Sequence, residues 1–251
     1  MMDMAADSPR SPPPPIDGRC ALFLDVDGTL LDFTLQPEAV TVPARLRDIL
    51  SGLHRRLDGA VALVSGRSLD MLDTLFEPLR LPAAGLHGLE LRNGARRSAA
   101  PPATEALAGV VAEAREFAAQ RPGTMVEDKG SSIVLHWRGA PERAAEMQGF
   151  AEAALARLPG YRLQHGNRII ELRPEGADKG DAIAALIDQP PFRGRRPVFV
   201  GDDLTDEHGF EVVNDRGGAS VLVGPREPSA ARHRLADTTA VLEWLRQGAL
   251  A

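Results

Sequence analysis

The stretch CALFLDVDGTL, residues 20–30, decides the fold. CALFLDV (20–26) reads as a buried parallel strand: a continuous apolar run bounded by a turn signal. Asp25 and Asp27 stand where that run stops. Acidic residues are poor strand formers, and paired negative charge resists burial. Either the strand ends in a solvated turn, or a cationic or reactive group sits there.

Outward from this strand, ARLRDILSGLHRRL (44–57) sets Leu46, Ile49, Leu50, Leu53 and Leu57 at helical spacing behind Pro43. AVALVSGR (60–67) repeats the strand-then-turn pattern, and SLDMLDTLF (68–76) reads as a helix stopped by Pro78. The same rhythm resumes near residue 178: DKGDAIAALI as helix, PVFVGDD as strand, LTDEHGFEVV as helix, ASVLVG as strand and TTAVLEWLRQ as helix. This alternation predicts a doubly wound α/β domain with a parallel sheet, built from both ends of the chain at 18–100 and 177–251.

Between the halves the rhythm changes. PPATEALAGVVAEAREFAAQR (101–121) and PERAAEMQGFAEAALARL (141–158) read as helices. In TMVEDKGSSIVLHWR (124–138), Ile133, Leu135 and Trp137 alternate with Val134, His136 and Arg138, and YRLQHGNRIIELRP (161–174) reads as a hairpin turning at HGN. Helix–strand–strand, given twice, predicts an inserted α+β domain at 101–176: a small antiparallel sheet covered by two helices. The connections at 98–103 and 174–177 are its candidate hinges. Residues 1–17, with their run of four prolines, read as a disordered tail.

The 251 residues are 43% hydrophobic and 25% charged, a composition that builds a packed core. With 29 Lys+Arg against 35 Asp+Glu, the formal charge of −6 disfavours non-specific nucleic-acid binding. Cys20 is the single cysteine, read as a plain buried thiol; it has no intramolecular disulfide partner, and a zinc site built on several thiolates is excluded. No apolar run approaches the roughly 20 residues of a membrane span, and the N-terminus lacks the apolar stretch of a signal peptide. A cytoplasmic monomer is expected.

Ligands of open α/β sheets bind outside the carboxyl ends of the strands. Four polar clusters fall at such ends or at the start of a following helix: DVDGT (25–29), SGR (65–67), DKG (178–180) and GDDLTDE (201–207). Asp25, Asp27, Asp202, Asp203 and Asp206 would therefore crowd one edge. Two unit charges about 4 Å apart repel by about 4 kcal/mol at an effective dielectric near 20, a large cost against a net stability of about 5–15 kcal/mol. A hard divalent cation removes the conflict, and an all-oxygen site with room for water suits Mg²⁺. Lys179, just inside a helix start, is placed to balance charge or contact phosphate. Ser65 and the N–H groups after it are placed to hold an anion. A nucleophilic carboxylate, a second carboxylate for proton transfer, a metal and phosphate donors are the parts of phosphoryl transfer.

These four motifs together resemble the haloacid dehalogenase superfamily of phosphohydrolases, over nearly all of 18–251. The resemblance implies a Rossmann-like core with a cap, Asp25 as the nucleophile that becomes an aspartyl phosphate, Asp27 as general acid/base, and Ser65 and Lys179 on the transferring phosphoryl group. It implies Mg²⁺ held by Asp25, the backbone carbonyl of Asp27 and Asp202, with Asp206 as a further acid of the metal site and Asp203 in support. GLHGLELR (85–92), VEDKGSSIVLHWR (126–138) and IIELRPEGADKGDAI (169–183), with GDDLTDEHGF, are similar to the trehalose-6-phosphate phosphatase family. That similarity implies trehalose 6-phosphate as substrate, sugar contacts from Glu127, Lys129 and Glu171 of the cap, and Gly66, Arg67 and His87–Gly88 on the core side of the cleft. His87 and His136 receive no catalytic role, because a carboxylate mechanism needs no imidazole. The rival readings are a sibling phosphatase acting on sucrose phosphate or mannosyl-phosphoglycerate, a phosphosugar-binding protein without turnover, and a receiver-type domain phosphorylated by a partner. Asp27 argues against the last, since a durable aspartyl phosphate should lack a neighbouring acid.

Overall fold

A computed structural model describes residues 10–32, 40–176 and 178–250. In chain order the first part runs β1 (Cys20–Leu24), α1 (Ala44–Arg56), β2 (Val61–Val64), α2 (Leu69–Phe76), β3 (Ala83–Gly85), β4 (Glu90–Asn93) and β5 (Arg96–Ser98). The chain then forms α3 (Glu105–Ala119), β6 (Met125–Asp128), β7 (Ile133–His136), α4 (Ala144–Leu155), β8 (Tyr161–Gly166) and β9 (Ile169–Pro174). It returns through α5 (Lys179–Ile187), β10 (Arg196–Gly201), α6 (Glu207–Asp215), β11 (Ala219–Val223), β12 (His233–Leu235) and α7 (Thr238–Leu250).

Among the described residues the core sheet has eight strands, in the order β12-β11-β10-β1-β2-β3-β4-β5. Its first six strands are parallel, and β4 and β5 add an antiparallel edge. β1 is buried along its whole length, and Phe23 stacks on Phe192 at 5.2 Å. The order reverses between β1 and β10, so their carboxyl ends open a crevice. Asp25 leaves β1 and Asp202 leaves β10 at that crevice. Topology, not sequence proximity, brings them together.

The sequence pattern did not mark β3, β4 and β5. They are three or four residues long, and β5 (Arg96–Ser98) is exposed throughout, so it carries no apolar run. The expected disordered tail is corrected for its described part. Ile16 is buried in the core, Pro14 O accepts from Trp244 Nε1 at 3.1 Å, and Ser11 bridges to His233 beside β12. A proline-rich strand lacks N–H donors but keeps its carbonyls, and α7 supplies the donor. Residues 1–9 lie outside the described part, as does 177 in the second hinge.

The cap sheet runs β6-β7-β9-β8, antiparallel throughout. Ile133, Leu135, Trp137, Ile170 and Leu172 pack on one face against Leu107, Val110 and Val111 of α3 and Met147 and Ala151 of α4. Val134 and His136 on the other face are also buried, because that face closes over the carboxyl ends of the core strands. The hairpin turns one step later than expected. Gly166 pairs with Ile169, leaving Asn167 and Arg168 as the loop, with Arg168 at φ 58°.

Candidate active site

Asp25, Asp202 and Asp206 each place a carboxylate oxygen within 4.8 Å of the other two. Lys179, the first residue of α5, donates from Nζ to Asp25 Oδ1 at 2.7 Å and to Asp206 Oδ1 at 2.6 Å. All three of these side chains are almost wholly buried. Burial pushes the Asp25 carboxyl up to about 7; Lys179 pulls it down, and Asp206 and Asp27 push it further up. Burial, Asp25 and Asp206 together push Asp202 up to about 9. Burial works against the charge on Lys179, but Asp206 and Asp25 outweigh it and hold the ammonium above the usual lysine range. One cation therefore serves three acids, and the donor set is all oxygen.

Within the GDDLTDE motif, Asp203 and Asp206 divide their work. Asp206 Oδ2 accepts from the N–H groups of Asp202 and Asp203, both at 2.9 Å, so its two oxygens fix the loop and Lys179. Asp203 is not brought into the carboxylate group: its Oδ1 accepts from Leu204 N at 2.7 Å and caps the turn that leads into α6. Gly201 is required here, since a Cβ would meet the Asp206 carboxylate at 2.4 Å.

Beside the acids lies a half-open cavity of about 130 Å³, lined on the core side by Asp25, Asp27, Ser65, Arg67 and Lys179, and on the cap side by Glu127, Lys129 and His136. Ser65 Oγ accepts from Arg67 N at 3.1 Å, which leaves the hydroxyl proton for an anion. Arg67 grips Asp27 with two parallel bonds of 2.7 Å, Nε to Oδ2 and Nη2 to Oδ1. Gly66 O accepts from Lys129 Nζ at 3.0 Å, a direct contact from cap to core. Gly88, expected beside the cleft, instead lets the turn after β3 approach α5: at φ 103°, a Cβ would come within 2.3 Å of Asp178 O.

The cap's own charges are largely satisfied within it. Glu127 Oε2 meets His136 Nε2 at 3.0 Å. Glu171, 2% exposed, accepts from Ser132 Oγ at 2.6 Å and lies 3.8 Å from Lys129 Nζ and 3.3 Å from His87 Nε2. Burial raises Glu171, but Lys129 above all, with His87 and Ser132, holds it well below the usual carboxylate range. Burial pushes His87 down to about 4 despite Glu171, so the imidazole is neutral near pH 7 and Lys129 is the cation that balances Glu171. His87 and Leu86 are both left-handed, at φ 54° and 48°. Two consecutive non-glycine residues in that region are strained and persist because their surroundings fix them.

Four further residues at the site escaped sequence reasoning. Thr29 Oγ1 donates to Asp202 Oδ1 at 3.2 Å, and the DGT motif already contained this signal. Arg226 donates to the carbonyls of Asp202 and Asp203 at 3.1 and 3.2 Å and pairs with Glu207, steadying the acidic loop. Ser132 and Gln164 reach Glu171 and His87, and only strand register reveals them.

Comparison with known proteins shows the family. The trehalose-phosphatase family model matches residues 23–239. A probable trehalose-phosphate phosphatase of Sinorhizobium fredii is 46% identical over 211 residues, 84% of this chain and 80% of that protein. The trehalose-6-phosphate phosphatase of Escherichia coli is 40% identical over 238 residues, 94% of this chain and 89% of that protein. The C-terminal domain of the trehalose-6-phosphate phosphatase of C. albicans has the same fold, with a TM-score of 0.79 at 22% identity over 92% of both chains. By the span of the family model and the identity to these relatives, the chain belongs to the trehalose-phosphatase family of enzymes.

Proposed function

We propose that this enzyme hydrolyses trehalose 6-phosphate to trehalose and phosphate through an aspartyl phosphate on Asp25. The observation that carries this reading is the group of Asp25, Asp202 and Asp206, with buried Lys179 bonded to Asp25 and Asp206, facing a cap whose polar residues turn toward it. Three carboxylates against one ammonium fit a hard divalent cation. Mg²⁺ would be held by Asp25, the carbonyl of Asp27 and Asp202, with Asp206 fixing the loop from behind. Bound there, it would neutralise charge on the carboxylates and the phosphoryl oxygens.

The residues act in two steps. An Asp25 oxygen attacks phosphorus, the bond from phosphorus to the sugar oxygen breaks, and Asp27 gives that oxygen its proton. Asp27, now a carboxylate, takes a proton from water as the water oxygen attacks phosphorus, and the bond to Asp25 breaks to release phosphate. Ser65 and Lys179 hold the phosphoryl oxygens. Arg67 grips the carboxylate form of Asp27, so that grip loosens when Asp27 carries the proton it gives to the leaving oxygen. Glu127, Lys129 and Glu171 offer their hydrogen bonds to the sugar.

The cavity of about 130 Å³ is smaller than the roughly 300–1,000 Å³ of small-molecule sites. The substrate therefore enters with the cap, 101–176, lifted from Gly66 and His87 about the connections at 98–103 and 174–177. The proposal includes a monomeric, cytoplasmic enzyme acting on a small molecule; no described helix is long and apolar enough to cross a membrane. Phosphate release from a panel of sugar phosphates, with and without Mg²⁺, tests the reading. Preference for trehalose 6-phosphate supports it, and preference for sucrose phosphate or mannosyl-phosphoglycerate replaces it with a sibling activity.

A further inference from the structure

Glu127, Val134, Glu171 and Gln164 stand directly opposite one another across β6, β7, β9 and β8. Opposed residues of neighbouring strands share a face, so Gln164 belongs to the same row as the two glutamates that face the core. Its amide orientation follows from its partner. Arg173 Nη1 donates at 2.8 Å to Gln164 Oε1, and a guanidinium has no lone pair to offer, so the oxygen must face it. Arg173 is fully buried, which fixes this arrangement. The Gln164 NH₂ group is thereby aimed at His87 Nε2, 3.3 Å away.

That nitrogen also faces Glu171 Oε2 at 3.3 Å. A neutral imidazole nitrogen carries either a hydrogen or a lone pair. With a hydrogen it satisfies Glu171 and opposes the N–H of Gln164. With a lone pair it satisfies Gln164 and opposes the carboxylate, and the hydrogen then sits on Nδ1, which is buried with no hydrogen-bond partner among the described residues. Neither tautomer satisfies the cluster when the cap is closed on the bare core. A hydroxyl does: its oxygen accepts from Gln164 and its proton goes to Glu171.

We infer that Gln164 is a specificity-determining residue, donating from Nε2 to a substrate hydroxyl whose own proton goes to Glu171, with Arg173 as the positioning residue that aims the amide. The inference rests on the trehalose 6-phosphate reading and adds a cap contact that the motifs do not contain. A free sugar hydroxyl is the ligand chemistry required; an aryl phosphate lacks it.

The test compares the native chain with Gln164→Leu and Gln164→Glu on trehalose 6-phosphate, on p-nitrophenyl phosphate and on the monodeoxy analogues of trehalose 6-phosphate. For both variants the ratio of kcat/KM for trehalose 6-phosphate to that for the aryl ester is expected to fall about tenfold, mostly through KM, as for the loss of one good hydrogen bond. One monodeoxy analogue is expected to lose about tenfold with the native chain and less than about twofold with Gln164→Leu. A ratio within about twofold of native, or a deoxy penalty undiminished in the variant, overturns the role of Gln164. A native chain that turns over the aryl ester but not trehalose 6-phosphate overturns the substrate reading and this inference with it. Gln164→Glu is close in size and shape, so it keeps the test available should Gln164→Leu fold poorly.

Discussion

The core and the cap build their polar sites by opposite means. In the core, Asp25, Lys179 and Asp206 are remote in sequence, and strand order brings them together at one buried point. Each is fixed by the end of a strand or the start of a helix. In the cap, Glu127, Glu171 and Gln164 lie on neighbouring strands with Lys129 just beyond one of them, and some of their bonds stay within the cap while others cross to the core. Lys129 reaches Gly66 O, and Glu171 reaches His87, only across the seam. On the proposed reading, a sheet edge holds the groups that must be exact for phosphoryl transfer, whereas the cap face holds those that would recognise the substrate.

The largest expected effect breaks the core side alone. Asp25→Asn removes the nucleophile while keeping its shape, and should lower turnover by about 10⁴-fold or more. It also removes one of three crowded carboxylates, so thermal unfolding without metal should show no loss of stability. Turnover near native in this variant ends the covalent mechanism.

Metal removal should be nearly as severe for activity, and binding separates the acids. If Mg²⁺ binds the folded state alone, Mg²⁺ at about a hundred times its Kd raises stability by about 2.7 kcal/mol. That rise, followed by thermal unfolding, should vanish in Asp202→Asn and persist in Asp203→Asn, since Asp203 caps its own turn. Equal rises in both variants would dissolve the division of labour within GDDLTDE.

Glu171→Ala probes the cap. The ratio of kcat/KM for trehalose 6-phosphate to that for p-nitrophenyl phosphate should fall by about 10- to 100-fold, the range for a hydrogen bond to a charged group. Equal losses on the two substrates would mean that Glu171 serves the fold rather than the sugar.

The contrast also explains what the sequence disclosed. Asp25, Asp202 and Lys179 were legible because an apolar run fixes where a strand ends, and the end fixes the address of the next residue. Asp203 and Asp206 were set apart only by the family resemblance, since which acid turns inward depends on the hydrogen bonds of one short turn. Gln164 was hidden by register: a turn placed at HGN shifts the partner of Glu171 away from it, while the observed loop at Asn167–Arg168 pairs them. The bidentate grip of Arg67 on Asp27, and the packing of residues 10–17 on α7, join segments that no local pattern connects.

The remaining expected effect lies on the seam itself. His87 is held down to about 4, against about 6.5 when free, chiefly by burial. Between these values the unfolded or opened chain takes up a proton that the closed form refuses. Stability contributed by closure is therefore complete above about pH 6.5 and weakens as pH falls toward 4, by at most about 3 kcal/mol. Urea unfolding of the native chain and of His87→Asn across this window isolates the effect, because asparagine tolerates the left-handed backbone and does not titrate. The native chain should lose more stability on acidification than the variant. Identical slopes would show that the seam excludes no proton, and that closure draws its strength from Lys129 on Gly66 rather than from the imidazole.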